Sequence, residues 1–168
     1  IRANLMNVVK NGSDKEGRLA LANASTMAGI AFANAMVGVV HNLGHATGGV
    51  CHVPHGVAMN IYLPVGLEYN LPKAAAEIGE LLLPLGGPEE YAHTPVEKRA
   101  ERVIVLIRAM KDELYDLCKL PRTLKEAGVP HEKLPEIAAA ALKDGASMYN
   151  VKEIEYKDAL MLAEKAFE

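Results

Sequence analysis

The sequence has no Trp, and aromatic residues make up only 5% of its 168 positions although half of those positions are hydrophobic. A core of this kind has to be assembled from Ala, Leu, Val, Ile and Met, the side chains that suit close helix packing. Cysteine is equally scarce. Cys51 and Cys118 are too few for a disulfide framework and fit a reducing, cytoplasmic compartment. A net charge of -3 with the signs interspersed excludes a phosphate-tracking basic surface, so neither a nucleic-acid nor a membrane partner is expected. No apolar run approaches the length of a membrane span, and no segment sustains the period-two alternation of a half-buried strand. The opening Ile1-Arg2-Ala3-Asn4-Leu5 carries neither an initiator Met nor a signal-peptide pattern, and it reads as a piece cut from a longer chain.

What is present is helical patterning with clear punctuation. Ile1 to Lys10 reads as the tail of an amphipathic helix stopped by Asn11-Gly12. Ser13-Asp14-Lys15-Glu16 has the form of a capping box, with Ser13 as the cap, opening a helix to about Met36. On that helix Ala22, Ser25, Ala28, Gly29 and Ala33 form a small-residue face that lets another helix approach closely. A further helix is expected from Val37 to Thr47, ending at Gly48-Gly49, then a loop from Val50 to Val53. Pro54 suits the first turn of a helix from His55 to about Tyr69, bent or broken at Pro64. Later helices are expected at about 73–83, 95–116, 131–143 and 156–167, separated by Pro- and Gly-containing stops. The fold class read from this pattern is all-α, a helical bundle in one domain over 1–168.

Five histidines bear on chemistry: His41, His45, His52, His55 and His93, four of them within fifteen residues. His41 and His45 are four apart, so on a helix both rings project from one face. His55 follows Pro54 at the start of the next helix, where the positive end of the helix dipole favours an unprotonated ring with a lone pair to donate. The Gly pair between them is expected to let the chain reverse and bring His55 back toward His41. A metal or cofactor site competes here with the ordinary reading of hydrogen-bonded or solvated rings. Two or three histidines without a carboxylate make an incomplete divalent site, and Asp14, Glu16 and Glu68 have no spacing that ties them to the cluster. His52 reads as a loop-surface residue, His93 and His131 as solvated, Cys118 as packed near a helix end, and Lys98-Arg99-Ala100-Glu101-Arg102 as a solvated helix face.

Gly38-Val39-Val40-His41-Asn42-Leu43-Gly44-His45, then Gly48-Gly49, then Pro54-His55-Gly56-Val57-Ala58-Met59-Asn60, resembles the second signature of the iron-containing (group III) alcohol dehydrogenases. Ala24 to Phe32, Leu63-Pro64, Tyr69-Asn70, Leu120-Pro121-Arg122-Thr123-Leu124 with Gly128-Val129, and Ala140 to Asn150 extend the likeness over essentially the whole chain. The resemblance implies the C-terminal domain of a two-domain dehydrogenase whose N-terminal nucleotide-binding domain is absent here. It implies a divalent metal, Fe²⁺ or Zn²⁺, in the cleft between the domains, with His41 and His55 as ligands. An Asp and a His lying upstream would complete the set. His45 matches a histidine near the cofactor's reactive ring and the substrate, and is assigned a catalytic, cofactor-contacting role. The implied reaction interconverts alcohols and aldehydes or ketones with NAD or NADP. The implied partners are a small alcohol or aldehyde, the missing domain and further copies of the chain in a homo-oligomer.

Two departures stand out. Ala46-Thr47 replaces a common Pro-Leu, and Cys51 replaces a frequent aromatic, which is expected either to reshape the substrate pocket or to be a buried small hydrophobe. A sister enzyme of the dehydroquinate synthase-like superfamily, such as a glycerol dehydrogenase or maleylacetate reductase, has the same expected fold. A free-standing helical metal-binding or interaction domain is the non-enzymatic alternative. Alone, the chain is expected to bind metal weakly, to lack dehydrogenase activity and to expose apolar cleft surface.

Overall fold

The computed structural model describes all residues from Ile1 to Glu168, and they form helices without any strand. In chain order these are α1 (Leu5–Lys10), α2 (Lys15–Ala35), α3 (Val39–Cys51), α4 (His55–Glu80), α5 (Leu82–Gly86), α6 (Pro88–His93), α7 (Arg99–Cys118), α8 (Leu134–Ala141) and α9 (Tyr156–Phe167). Short 3₁₀ turns lie at Val96–Lys98, His131–Lys133 and Gly145–Tyr149. The all-α expectation holds, and no single helix is long and apolar enough to cross a membrane.

α4 is the central element. α3, α7 and α9 pack along it, and α8 closes the other side of α3 and α9. The larger core joins Val39, Leu43, Ile61, Tyr62, Leu134, Ile137 and Leu162, all at most 1% exposed. Its α8–α9 seam is built from Ala138, Ala141, Ala159, Ala163 and Ala166, where small side chains let the helices close up. A smaller cluster of Ile78, Leu82, Ala100, Val103 and Ile107 holds the far end of α4 to α5 and α7. Between the two, the buried Lys111 on α7 donates from Nζ to the carbonyls of Ile61 (3.2 Å) and Arg122 (3.1 Å). Asn60 Nδ2 donates to Pro121 O at 2.9 Å, so the loop after α7 is held against α4 by polar bonds.

Several local expectations shift. Asp14, not Ser13, caps α2, its carboxylate accepting the Gly17 N–H at 2.9 Å, while the Ser13 N–H donates to Asn11 Oδ1. Both residues are capping types, and Asn7, which donates to Asp14 Oδ2 at 2.6 Å, selects the second. α3 does not stop at Gly48-Gly49. It runs to Cys51 and ends with His52 in the left-handed conformation (φ 58°), whose N–H donates to Gly48 O. Gly48 is helical, and its missing side chain leaves room for the Val53 carbonyl, which a Cβ would approach to 3.3 Å. α4 does not end near Tyr69. It continues through Pro64 and Pro72 and loses helical geometry at Ala74 (φ −136°, ψ 24°). The helix Pro88–His93 and the turn Gly145–Tyr149 were not anticipated.

The small-residue face of α2 meets no helix of this chain. Leu19, Met27, Ile30 and Phe32 elsewhere on α2, and Met36 just after it, are also exposed. Cys118 is exposed instead of packed, its thiol donating to Leu114 O. The charged run at 98–102 is only partly a solvated face. Ala100 is buried, and the Arg99 guanidinium lies 3.7 Å from the Tyr91 ring centre.

Candidate metal and substrate site

Three features of the fold converge on one place. α3 turns away from α2 by 105° across Met36, Val37 and Gly38. Its start is fixed by Asn150, whose Oδ1 accepts the Val39 N–H (3.1 Å) and one Asn70 amide hydrogen (3.0 Å). Asn150 Nδ2 donates to Asn70 Oδ1 and to Lys152 O. Gly38 makes room for this arrangement, since a Cβ there would sit 2.6 Å from Asn150 Oδ1. After Cys51 the chain reverses through His52 and Pro54, not through the glycine pair, and His55 becomes the first residue of α4.

The result is a triangle of imidazoles. Ring centres of His41 and His45 are 5.6 Å apart, those of His41 and His55 5.5 Å, and those of His45 and His55 5.5 Å. Burial, then the adjacent His45 and His55, push the His41 ring below the ordinary histidine range, while Asp144 pulls the other way. That ring is therefore held unprotonated with a lone pair to donate. No three His, Cys, Asp or Glu side chains of the chain close on one point as a metal site. As a donor set the imidazoles fit part of a borderline divalent site, which needs further ligands to be complete.

The triangle opens into a cavity of about 770 Å³. Ala28, Phe32 and Met36 form one wall, and Ala146, Met148 and Tyr149 another. The lining is mostly apolar apart from the histidines and Asp144. Cys51 does not reach this cavity. It packs half-buried against the larger core, which agrees with the second of its two readings, a small hydrophobe. His52 is exposed beyond α3. His93 is exposed and bonded through Nδ1 to Glu89 O, and His131 is exposed and paired with Glu164.

Asp144 was missed by sequence reasoning. Its Oδ2 lies 2.8 Å from His45 Nδ1, a contact between residues 99 apart in sequence. Within Lys143-Asp144-Gly145 an Asp reads as a turn former. The one signal that pointed to it was the likeness of Ala140 to Asn150 to a family segment.

The profile of the Fe-containing alcohol dehydrogenase family, C-terminal, matches residues 1–167. The chain is 34% identical over its full length to alcohol dehydrogenase 4 of Saccharomyces cerevisiae, covering 41% of that protein. It is 33% identical over 99% of its length to the 1,3-propanediol dehydrogenase of Klebsiella pneumoniae, covering 42% of it. The solved structure of a 1,3-propanediol oxidoreductase superposes with a TM-score of 0.90 at 30% identity, over 99% of this chain and 42% of that one. The chain thus spans about two fifths of the length of these relatives. Family profile, sequence relatives and fold agree: the chain belongs to the Fe-containing alcohol dehydrogenase family, as its helical C-terminal part.

Proposed function

We propose that this chain is the metal- and substrate-binding part of an enzyme that interconverts alcohols and aldehydes or ketones with NAD or NADP. The observation that carries the reading is the convergence of the His41, His45 and His55 rings, 5.5–5.6 Å apart, at the base of an apolar cavity. In this reading His41 and His55 donate imidazole nitrogen to a divalent ion, Fe²⁺ or Zn²⁺, whose other ligands lie outside the 168 residues. When bound, such an ion supplies Lewis-acid polarisation of the substrate oxygen.

The chain's own residues do the rest. Burial keeps His41 unprotonated and available as a donor. Phe32, Met36 and Met148 exclude water and receive the alkyl portion of the substrate. His45 takes the hydroxyl proton at Nε2 during oxidation and returns it during reduction, because its Nδ1 is already committed to Asp144. The nicotinamide domain belongs to the part of the protein outside this chain.

The test is the full-length protein reconstituted with iron or zinc and assayed against a panel of alcohols with NAD and NADP. Oxidation that is lost, together with the bound metal, in both His41→Ala and His55→Ala is the expected result. Metal content and turnover unchanged in either variant would sink the reading.

A further inference from the structure

The carboxylate of Asp144 is more completely committed than a surface ion pair requires. Oδ2 meets His45 Nδ1 at 2.8 Å, and Oδ1 accepts the Ala146 N–H at 2.8 Å, capping the Gly145–Tyr149 turn. The backbone of Asp144 is held as well. Its N–H donates to Ala141 O at 3.1 Å, and its own carbonyl accepts from Ser147 Oγ at 2.9 Å. The same Ala141 carbonyl accepts from Nδ2 of the fully buried Asn42, the neighbour of His41 on α3, at 2.5 Å. A single carbonyl at the end of α8 thus ties the carboxylate to the helix that carries the imidazole.

We infer that Asp144 is the positioning residue for His45, fixing which ring nitrogen carries the proton and where the ring points. An ionised carboxylate only accepts hydrogen bonds, so a bond to Nδ1 places the hydrogen there and, in the neutral ring, leaves the Nε2 lone pair unoccupied. Nothing in the chain bonds to Nε2, and His45 lines the cavity. Stability does not account for the pair. His45 is 40% and Asp144 24% exposed at the side chain, and ion pairs so placed contribute little to folding. Orientation of a partner ring by a carboxylate is the arrangement that makes an imidazole act at one chosen nitrogen.

This inference rests on the role proposed for His45, and the variant Asp144→Asn separates the two. The Ala146 N–H needs an oxygen at the Oδ1 position, so the amide keeps the turn capped and turns its NH₂ toward His45 Nδ1. That donor favours the opposite tautomer. The experiment uses zinc-loaded full-length enzyme labelled with ¹⁵N-histidine, the His45 signals being identified by their loss in His45→Gln. The wild type is expected to carry the proton on Nδ1. Asp144→Asn is expected to move it to Nε2, lower kcat by about 10- to 100-fold and change KM less than about threefold, with the thermal midpoint within about 2 °C. A proton found on Nε2 in the wild type, or one left on Nδ1 by the substitution, overturns the inference whatever the rate does. If His45→Gln turned over at full rate while Asp144→Asn still moved the proton, the relay role would fall and the positioning would stand.

Discussion

The hydroxyls of Thr47 and Tyr62 lie 2.9 Å apart, both fully buried, where α3 crosses α4 behind the histidine triangle. Burial pushes the Tyr62 phenol far above its ordinary range, so it remains a hydrogen-bonding O–H throughout the accessible pH range. The bond fixes the spacing of the helix carrying His41 and His45 against the one that begins at His55.

Tyr62→Phe is expected to cost about 1–3 kcal/mol, because it strands the Thr47 hydroxyl without a partner in the core. Adding Thr47→Val removes the stranded group, so the double variant should be destabilised by less than the sum of the singles. Urea unfolding of the four proteins measures the coupling. Strict additivity would show that the bond does not link the helices energetically.

Lys111 yields a pH dependence. Burial pulls its ammonium from 10.5 down to about 8 in the folded chain. The folded value lies below the unfolded one, so between about 8 and 10 the unfolded chain binds the extra proton and stability rises with pH. Relative to Lys111→Met, the wild type should gain on the order of 1–3 kcal/mol between pH 7 and pH 10. Above that window Tyr69, pushed up to about 12 chiefly by burial, works in the opposite sense. Thermal unfolding of both proteins across the range reads the difference, and a gap that does not change with pH would refute the assignment.

Met36 occupies φ 59°, ψ −168°, a backbone region that is essentially reserved for glycine. Met36 is 42% exposed, so the burial lost on removing its side chain is smaller than for a core methionine. Met36→Gly is therefore expected to stabilise the fold by about 1 kcal/mol, whereas Met36→Ala, which keeps the strain, should not. Differential scanning calorimetry distinguishes them. A glycine variant no more stable than the alanine one would show that the strain is relieved elsewhere.

These residues also show where sequence reading succeeds and where it stops. The histidine spacing was legible because both of its ingredients are local, a four-residue repeat on a helix and a ring just after Pro54. The α9 boundaries at Tyr156 and Phe167 were legible for the same reason. Gly48-Gly49 does not act as the stop its composition suggests, because α3 finds its end three residues later, at the left-handed His52. The helix expected to end near Tyr69 runs on through both of its prolines, and the backbone departs from helical geometry only at Ala74. Asp144 stayed invisible as a functional residue because its partner lies 99 positions away, and neither period nor composition carries that distance.

The amide of Asn150 has a mechanical consequence. By gripping Val39, Asn70 and Lys152 at once, it welds the first third of the chain to its last fifth, so imidazole helix and carboxylate turn form one stiff jaw. α2 faces this jaw across the cavity, joined to α3 at the bend of Met36 and held at its other end by α1, which packs on α7. His45 and Asp144 keep their alignment because Asn150 braces the helix that carries one against the turn that carries the other.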